Sequence, residues 1–410
     1  MGSAVMPGAY IAHARNAMPR RQSRRARAII SGDARRAFET IRFMIRRTAS
    51  LALAALLLAP AAASAQPANA QPLPDSADAY RIAADRWIAR HKPETAVILV
   101  KRGGRVVYAR GERTDAAQPT LLASLSKMIT GVCVATLIRD GKLDFDTTMR
   151  DALSGFFARN GEPADPRFLD VTVAQLLTHR SGLMGNPDGD LTTRAVRRLA
   201  RAGKGANAAL QSILADDLRE KLKREPGAAY AYSNAGYLAL GVIIEDRTKR
   251  PYENYCRDAV MKPLNIASAR LHPDWRVWSS MGGWIIAPAD YLTLADVFAR
   301  DNPFLGDKVK AWIESTRASA QIGGGDWYSL GVITHEGVGG WSVSHGGQLN
   351  SRGVDAKGKP ISAVVRATFS RAADGTALFA AFTPATYDNK ALEELRSALG
   401  KATQAWVSFR

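Results

Sequence analysis

The sequence predicts an α+β fold: an antiparallel β-sheet flanked by N- and C-terminal helices, with an inserted, mainly helical subdomain. Two observations carry this prediction. Strand-like runs lie near residue 100 and again beyond residue 328, and the long block between them is mostly helical in pattern. Such an arrangement brings both ends of the chain into one sheet. A hydrophobic content of 46% over 410 residues is ordinary for a globular protein with a sizeable core.

The elements of the N-terminal half follow from local patterns. Residues 76–90 place apolar side chains three or four positions apart, which predicts an amphipathic helix. The apolar runs 96–100 and 105–109 flank a Gly-Gly pair and predict a β-hairpin. Residues 125–137 are apolar on nearly all sides, which predicts a buried helix. Residues 143–227 carry helical patches interrupted by turn residues.

The C-terminal half changes from helical to β-like patterns. Pro288 begins a helix that runs to about Ala299. Beyond it, runs of β-branched and aromatic residues are separated by Gly, Asn and Asp and predict strands at 328–334, 341–345, 362–369 and 377–382. Residues 390–399 predict the last helix.

The first 65 residues differ from the rest of the chain. They contain eleven arginines, no lysine and two acidic residues, so they carry +9 of the total net charge of +18. A positive start at Met44, an apolar run over 51–63 and a small-residue site ending at Ala65 follow the order of a secretory signal peptide. The apolar run is shorter than the ~20 residues of a membrane span.

These features predict the domain organisation. Residues 1–43 are an upstream extension from a misplaced start codon, 44–65 a signal peptide, 66–77 a linker and 78–402 the folded domain. We expect a periplasmic or secreted protein, cleaved near Ala65, with no membrane span in the mature form. The alternative takes the arginines at 20–27 as a nucleic-acid-binding arm, but a cleavable signal behind such an arm makes little sense.

Two cysteines, Cys133 and Cys256, exclude a disulfide scaffold and a cysteine-rich zinc module. Export would permit a disulfide. Nothing in their spacing suggests pairing, so two buried free thiols are the favoured prediction.

Ser124 and Lys127 form an S-x-x-K motif at the start of the predicted buried helix. Residues three apart share a helix face, so Ser124 Oγ and Lys127 Nζ can meet. A serine hydroxyl is a poor nucleophile until a base takes its proton, and a lysine in an apolar pocket can have its pKa lowered enough to be that base.

Two further motifs follow along the chain. Tyr232-Ser-Asn234 offers a hydroxyl that can relay a proton and an amide that can hold a substrate or orient a lysine. His345-Gly-Gly347 lies on a predicted strand, where glycines let another backbone approach closely, as a substrate along a sheet edge would require.

Other catalytic patterns are missing from the sequence. No G-x-S-x-G elbow is present, which argues against an α/β-hydrolase. His335-Glu336 is not followed by a second metal-binding histidine, and the six histidines show no ligand spacing. We therefore predict no metal and no cofactor.

S-x-x-K, then Tyr-x-Asn about a hundred residues later, then a basic-residue-x-Gly triplet on a late strand together resemble the serine β-lactamase and penicillin-binding-protein superfamily. Tyr-x-Asn is the form of class C β-lactamases, of some serine D-Ala-D-Ala carboxypeptidases and of related esterases. The resemblance covers about residues 78–402. It includes the segment from Leu176 to Leu183 and the Gly282-Gly283-Trp turn.

The resemblance implies a role for each motif residue. Ser124 is the nucleophile that forms an acyl-enzyme, Lys127 its proton acceptor, and Tyr232 the donor to the leaving group. Asn234 binds the substrate amide or orients Lys127, and His345 helps to bind a substrate carboxylate or tunes Tyr232. Further substrate contacts are implied at Gly347 and Gln348: the backbone N–H groups of Ser124 and Gln348 would form the oxyanion hole. Whether Lys127 or Tyr232 is the acylation base stays open.

The implied activity is acyl transfer to water from an ester, a D-amino-acid peptide or a β-lactam, with a small-molecule or peptidoglycan-derived substrate. His345 replaces the Lys of the Lys-Thr-Gly triplet usual in class C β-lactamases, which favours a peptidase or esterase over an efficient β-lactamase. The alternatives are a catalytically inactive cell-wall-binding homologue and a basic nucleic-acid-binding protein. Oligomeric state and natural substrate are not predicted.

Overall fold

The structure is a computed structural model that describes residues 77–185, 189–195, 210–337, 339–354, 360–384 and 390–408. The predicted upstream extension, signal peptide and nearly all of the predicted linker lie outside these residues. Within the described ranges, no helix is both long and apolar enough to cross a membrane.

The elements follow the predicted order. Helix α1 (Ala77–His91) precedes strands β1 (Thr95–Arg102), β2 (Arg105–Glu112) and β3 (Thr120–Leu121). A short 3-10 turn (Ala123–Leu125), called the Ser124 turn below, leads into helix α2 (Ser126–Arg139). The middle of the chain then forms α3 (Met149–Ala152), α4 (Ser154–Asn160), α5 (Val173–Leu177), α6 (Leu210–Asp217), α7 (Asn234–Thr248), α8 (Tyr252–Cys256), β4 (Arg270–Leu271), α9 (Ser279–Gly282), β5 (Trp284–Ile286), α10 (Pro288–Ala295) and α11 (Asp307–Ser315). The C-terminal part forms β6 (Gln321–Gly323), β7 (Asp326–Ser329), β8 (Val332–Gly337), β9 (Gly340–Val354), β10 (Pro360–Arg371), β11 (Ala377–Thr383) and α12 (Lys390–Ser408).

One antiparallel sheet unites the two ends of the folded domain, as the sequence predicts. Its strand order is β2-β1-β11-β10-β9-β8-β7-β6. The N-terminal hairpin joins the C-terminal strands through β1 and β11, where Ile98 pairs with Ala380. A smaller sheet, β3-β5-β4, was not predicted from the sequence, because two- and three-residue strands leave no readable alternation.

The two faces of the large sheet bury different cores. Side chains alternate along β1, so Val97 and Leu99 face the large core around α2. Ile98 and its even-numbered neighbours face a smaller core beneath α1 and α12. Trp87 of α1 donates an indole N–H to the Ala391 carbonyl at 2.7 Å, which ties the two terminal helices together.

The predicted strand 328–334 is wrong as a single element. It divides into β7 and β8 at a turn in which Leu330 and Gly331 both have positive φ, +45° and +82°. A Cβ on Gly331 would lie 2.2 Å from the Lys127 carbonyl oxygen. Glycine therefore serves both the left-handed backbone and the close packing of this hairpin on α2.

The prediction of two free thiols is also wrong. Cys133 of α2 and Cys256 of α8 form a disulfide with a Cα–Cα separation of 5.5 Å. Their separation of 123 residues in sequence concealed a proximity that arises when α2 and α8 pack together. Disulfides typically contribute roughly 2–4 kcal/mol of stability, and loop-closure entropy for a loop this long corresponds to about 5 kcal/mol.

Candidate active site

The Ser124 turn lies directly against strand β9. Ala123 has a φ of +48°, an uncommon conformation for a residue with a Cβ, immediately before the serine. A Cβ on Gly347 would lie 2.7 Å from the Leu122 carbonyl oxygen. Gly347 therefore permits this turn to pack on the strand. The backbone that approaches the glycine is that of the Ser124 turn and not that of a substrate, for which the sequence pattern predicted room at the glycines.

Lys127 is fully buried one helical turn from Ser124. Its Nζ lies 3.4 Å from Ser124 Oγ, 2.7 Å from Asn234 Oδ1 and 2.9 Å from the Met281 carbonyl oxygen. Burial lowers the pKa of Lys127 to about 7, and the Asp190 carboxylate opposes part of that decrease. A substantial fraction of this amine is therefore unprotonated near neutral pH.

The Tyr232-Ser-Asn234 segment lies at the N-terminal end of α7. Ser233 has extended backbone before the helix, so the chain direction changes between the tyrosine and the asparagine. The Tyr232 ring lies 4.9 Å from Lys127 Nζ, measured to the ring centroid. Burial raises the pKa of the Tyr232 hydroxyl, and the neighbouring Ser124 hydroxyl opposes part of that rise. The buried Tyr232 Oη makes no hydrogen bond of normal geometry to a described residue.

His345 is buried on β9, and both of its ring nitrogens make hydrogen bonds. Nδ1 donates to the Gly346 carbonyl at 2.6 Å, so Nε2 accepts from the Tyr328 hydroxyl at 3.0 Å. Burial, together with the charge of Lys127, lowers the pKa of His345 to about 3. His345 is therefore neutral near pH 7, and it bonds Tyr328 rather than Tyr232.

Beyond Ser344, no strand among the described residues pairs with β9 on the side that faces the Ser124 turn. The ladder of β9 with β8 ends at Ser344, whereas its ladder with β10 continues to Val354. Gln348 is exposed on this segment, one residue beyond the glycine that contacts the turn. The backbones of Ser124 and Gln348 thus come from adjacent segments, as an oxyanion hole made by these two residues requires.

His179 holds the Tyr232 segment in place and was not assigned a role from the sequence. Its buried Nδ1 accepts the Ser233 backbone N–H at 3.1 Å, and its ring contacts Tyr232 at a centroid distance of 4.4 Å. Burial lowers the pKa of His179 well below its usual value, with Lys127 and His345 adding to the effect. His179 is therefore a neutral support for the loop.

The structure thus brings together Ser124, Lys127, Tyr232, Asn234 and the β9 residues predicted from the sequence. It adds Asp190, His179, Tyr328 and the Met281 carbonyl, which the three motifs do not contain. A sheet with flanking helices, a helical block, and a serine beside a buried lysine with lowered pKa together define the class: a serine hydrolase of the β-lactamase and penicillin-binding-protein type.

Comparisons with known proteins agree with this class. The model of the family described as Beta-lactamase matches residues 79–371, most of the chain. The chain belongs to the Beta-lactamase family.

Protein flp of Staphylococcus aureus (strain MW2) is 29% identical over 187 residues, which is 43% of this chain and 34% of that protein. The chain thus matches about a third of the length of this relative. Among solved structures, the octameric penicillin-binding protein homologue from Pyrococcus abyssi has a TM-score of 0.60 at 19% identity, covering 79% of this chain and 77% of that one. The D-stereospecific amidohydrolase from Streptomyces sp. has a TM-score of 0.60 at 18% identity, covering 78% of this chain and 97% of that one. At these identities the structures support the fold alone.

Proposed function

We propose that this protein is an exported serine hydrolase that forms an acyl-enzyme at Ser124. It prefers ester or amide donors without a carboxylate beside the reacting bond, including D-amino-acid amides, over β-lactams. The observation that carries the proposal is the environment of Lys127. A buried amine with a pKa of about 7 lies beside a serine hydroxyl and between two fixed acceptors.

These contacts favour Lys127 as the base that activates Ser124. A neutral amine has two N–H donors and one lone pair. Asn234 Oδ1 and the Met281 carbonyl accept the two N–H groups, which leaves the lone pair for the Ser124 hydroxyl proton. Tyr232 is a poorer base because burial raises its pKa, so its hydroxyl keeps its proton.

In the proposed reaction, Lys127 takes the Ser124 proton as Oγ attacks the acyl carbon. The carbonyl oxygen becomes an oxyanion and is stabilised by the N–H groups of Ser124 and Gln348. As the acyl bond to the leaving group breaks, the Lys127 ammonium returns the proton to that group through the Tyr232 hydroxyl. Water then attacks the acyl-enzyme by the same steps in reverse order.

The third motif supports the preference for donors without such a carboxylate. In a β-lactam, the carboxylate next to the reacting amide is best bound by a fixed cation. His345 is neutral near pH 7 and its Nε2 lone pair accepts the Tyr328 proton, so this side chain offers no positive charge to such a group.

A matched pair of substrates tests this preference. We expect kcat/KM for a neutral p-nitrophenyl acyl ester to exceed that for the matched 3-carboxy-4-nitrophenyl ester, which carries a carboxylate on the leaving group, by roughly tenfold or more, since 1.4 kcal/mol of lost pairing is a factor of ten. A chromogenic cephalosporin should be turned over more slowly still. Equal or faster turnover of the carboxylate-bearing donors would contradict the preference.

Export is supported by two observations: the signal-like pattern over residues 44–65 and the Cys133–Cys256 disulfide, a bond that persists in oxidising compartments. We expect protein isolated from the cell envelope of its native host to begin at Gln66 and to be two hydrogens lighter than the dithiol form. Intact-mass spectrometry before and after reduction measures both features. A native chain that begins before residue 44, or one with two free thiols, would contradict export.

A further inference from the structure

We infer that Asp190, which belongs to none of the three motifs, is a positioning residue that holds the side-chain amide of Asn234 with its oxygen toward Lys127. The inference rests on the proposed function, because it concerns the base of that reaction.

The hydrogen bonds around Asn234 allow one orientation of its amide. Asp190 Oδ2 accepts a hydrogen bond from Asn234 Nδ2. An ionised carboxylate can only accept, so the NH₂ group must face Asp190 and the oxygen must face the other way. That oxygen lies 2.7 Å from Lys127 Nζ. Asp190 therefore decides which amide atom the lysine meets.

The orientation matters for the direction of the Lys127 lone pair. With Asn234 Oδ1 accepting, the amine directs an N–H at the amide and its lone pair at Ser124. With the amide reversed, Nδ2 would donate a hydrogen bond to the lone pair and compete with the Ser124 proton. The reversed form would keep the lysine neutral but unable to act.

Asp190 also contributes charge to the cluster around Lys127. Among the described residues, the titratable groups around the amine include the rings of Tyr232 and Tyr237, at 4.9 and 5.8 Å, and the neutral His179 and His345. The Asp190 carboxylate stabilises the ammonium form and so limits how far burial lowers the lysine pKa. Loss of this charge should lower that pKa further.

Asp190 has a second contact that a purely structural role would explain. Its Oδ1 accepts the Thr193 backbone N–H at 2.9 Å, at the start of the helical residues 191–195. A capping role alone predicts that substitutions change stability and leave the pH dependence of the reaction in place. The two roles can therefore be separated by variants that keep the cap.

Two substitutions keep the cap and change the contact to Asn234. In Asp190→Asn, the amide oxygen of the new side chain still accepts the Thr193 backbone N–H, so its NH₂ group faces Asn234. Two NH₂ groups cannot bond each other, and the Asn234 amide must therefore reverse. In Asp190→Ser, the hydroxyl still caps but is too short to reach Asn234. Asp115→Asn is the matched control, since exposed Asp115 also accepts a nearby backbone N–H, that of Ala117 at 2.9 Å.

The pH dependence of kcat/KM on a neutral ester is the measurement. We expect the acidic limb of the pH profile of kcat/KM to move to lower pH, by roughly half a pH unit to one pH unit, in both Asp190 variants. The reason is the loss of a negative charge near the Lys127 ammonium. The activity plateau of Asp190→Asn should fall by roughly ten- to a hundredfold, and further than that of Asp190→Ser, because its amide is reversed. Asp115→Asn should match the wild type.

Heteronuclear NMR of lysine Nζ and Cε, assigned with Lys127→Met, measures the charge effect of Asp190 on Lys127 without turnover. The Lys127 titration should move to lower pH in both Asp190 variants. An unmoved limb with an unmoved titration, or equal activity plateaus in Asp190→Asn and Asp190→Ser, would overturn the positioning role, whatever the change in Tm. If wild-type protein failed to react with any acyl donor while the NMR shift appeared, the proposed function would fail and the electrostatic effect of Asp190 on Lys127 would stand.

Discussion

Replacing Ser124 by alanine is expected to reduce ester hydrolysis by roughly 10⁴- to 10⁶-fold, since loss of the nucleophile leaves only binding and oxyanion stabilisation. The Ser124 Oγ is the atom beside the Lys127 amine and the Tyr232 hydroxyl. The measurement is kcat/KM on a neutral ester, together with the intact mass after exposure to a penicillin or a fluorophosphonate. The covalent adduct should disappear with the serine.

The control for this substitution lies two residues away. Ser126 is also buried, and its Oγ accepts the Trp284 backbone N–H at 3.2 Å. Ser126→Ala should therefore lose about 1–3 kcal/mol of stability, because the buried Trp284 N–H loses its acceptor, and should still be labelled at Ser124. If Ser124→Ala kept its activity, the proposed mechanism would be wrong. If the wild type reacted with no probe and no ester, the inactive cell-wall-binding homologue would be favoured.

Replacing Lys127 by methionine is expected to reduce kcat/KM by roughly 10²- to 10⁴-fold, the contribution of a well-placed general base. Methionine keeps much of the length of the side chain and removes the amine. In the wild type, activity should rise as pH rises through about 7, because the amine has a lone pair for Ser124 only when it is unprotonated. The residual activity of Lys127→Met should no longer show this rise with pH.

Two observations make the Lys127 experiment specific. Lys142 is exposed, so Lys142→Met should keep both the rate and the pH profile. His345 has a pKa of about 3, so no further limb is expected near 6.5 from that side chain. A wild-type acidic limb that stayed in Lys127→Met at unchanged rate would move the role of base to another group, Tyr232 first.

Prediction from the sequence works where the signal is local. Ser124 and Lys127 are three residues apart, so their proximity follows from helix geometry alone. The hairpin of β1 and β2 follows from two β-branched runs around a glycine pair. Tyr232, Asn234 and His345 were placed through resemblance to a family, because more than a hundred residues separate each motif from the next.

Prediction fails where a contact depends on packing between distant segments. Nothing local indicates that Asp190 meets Asn234, that Tyr328 bonds His345, or that Cys133 meets Cys256. His345 illustrates the same limit. A histidine side chain in water titrates near neutral pH, whereas burial keeps His345 neutral there.

The sequence by itself therefore determined the fold class and the order of the main elements, because these depend on periodicity and residue type, which are read one segment at a time. The candidate reacting groups came from one local motif and from resemblance to a family. Only the tertiary structure decided the lowered pKa of Lys127, the neutrality of His345 and the hydrogen-bond partners of the Asn234 amide. Each of these depends on burial and on hydrogen-bond partners, which exist only once remote segments have packed around the same few atoms.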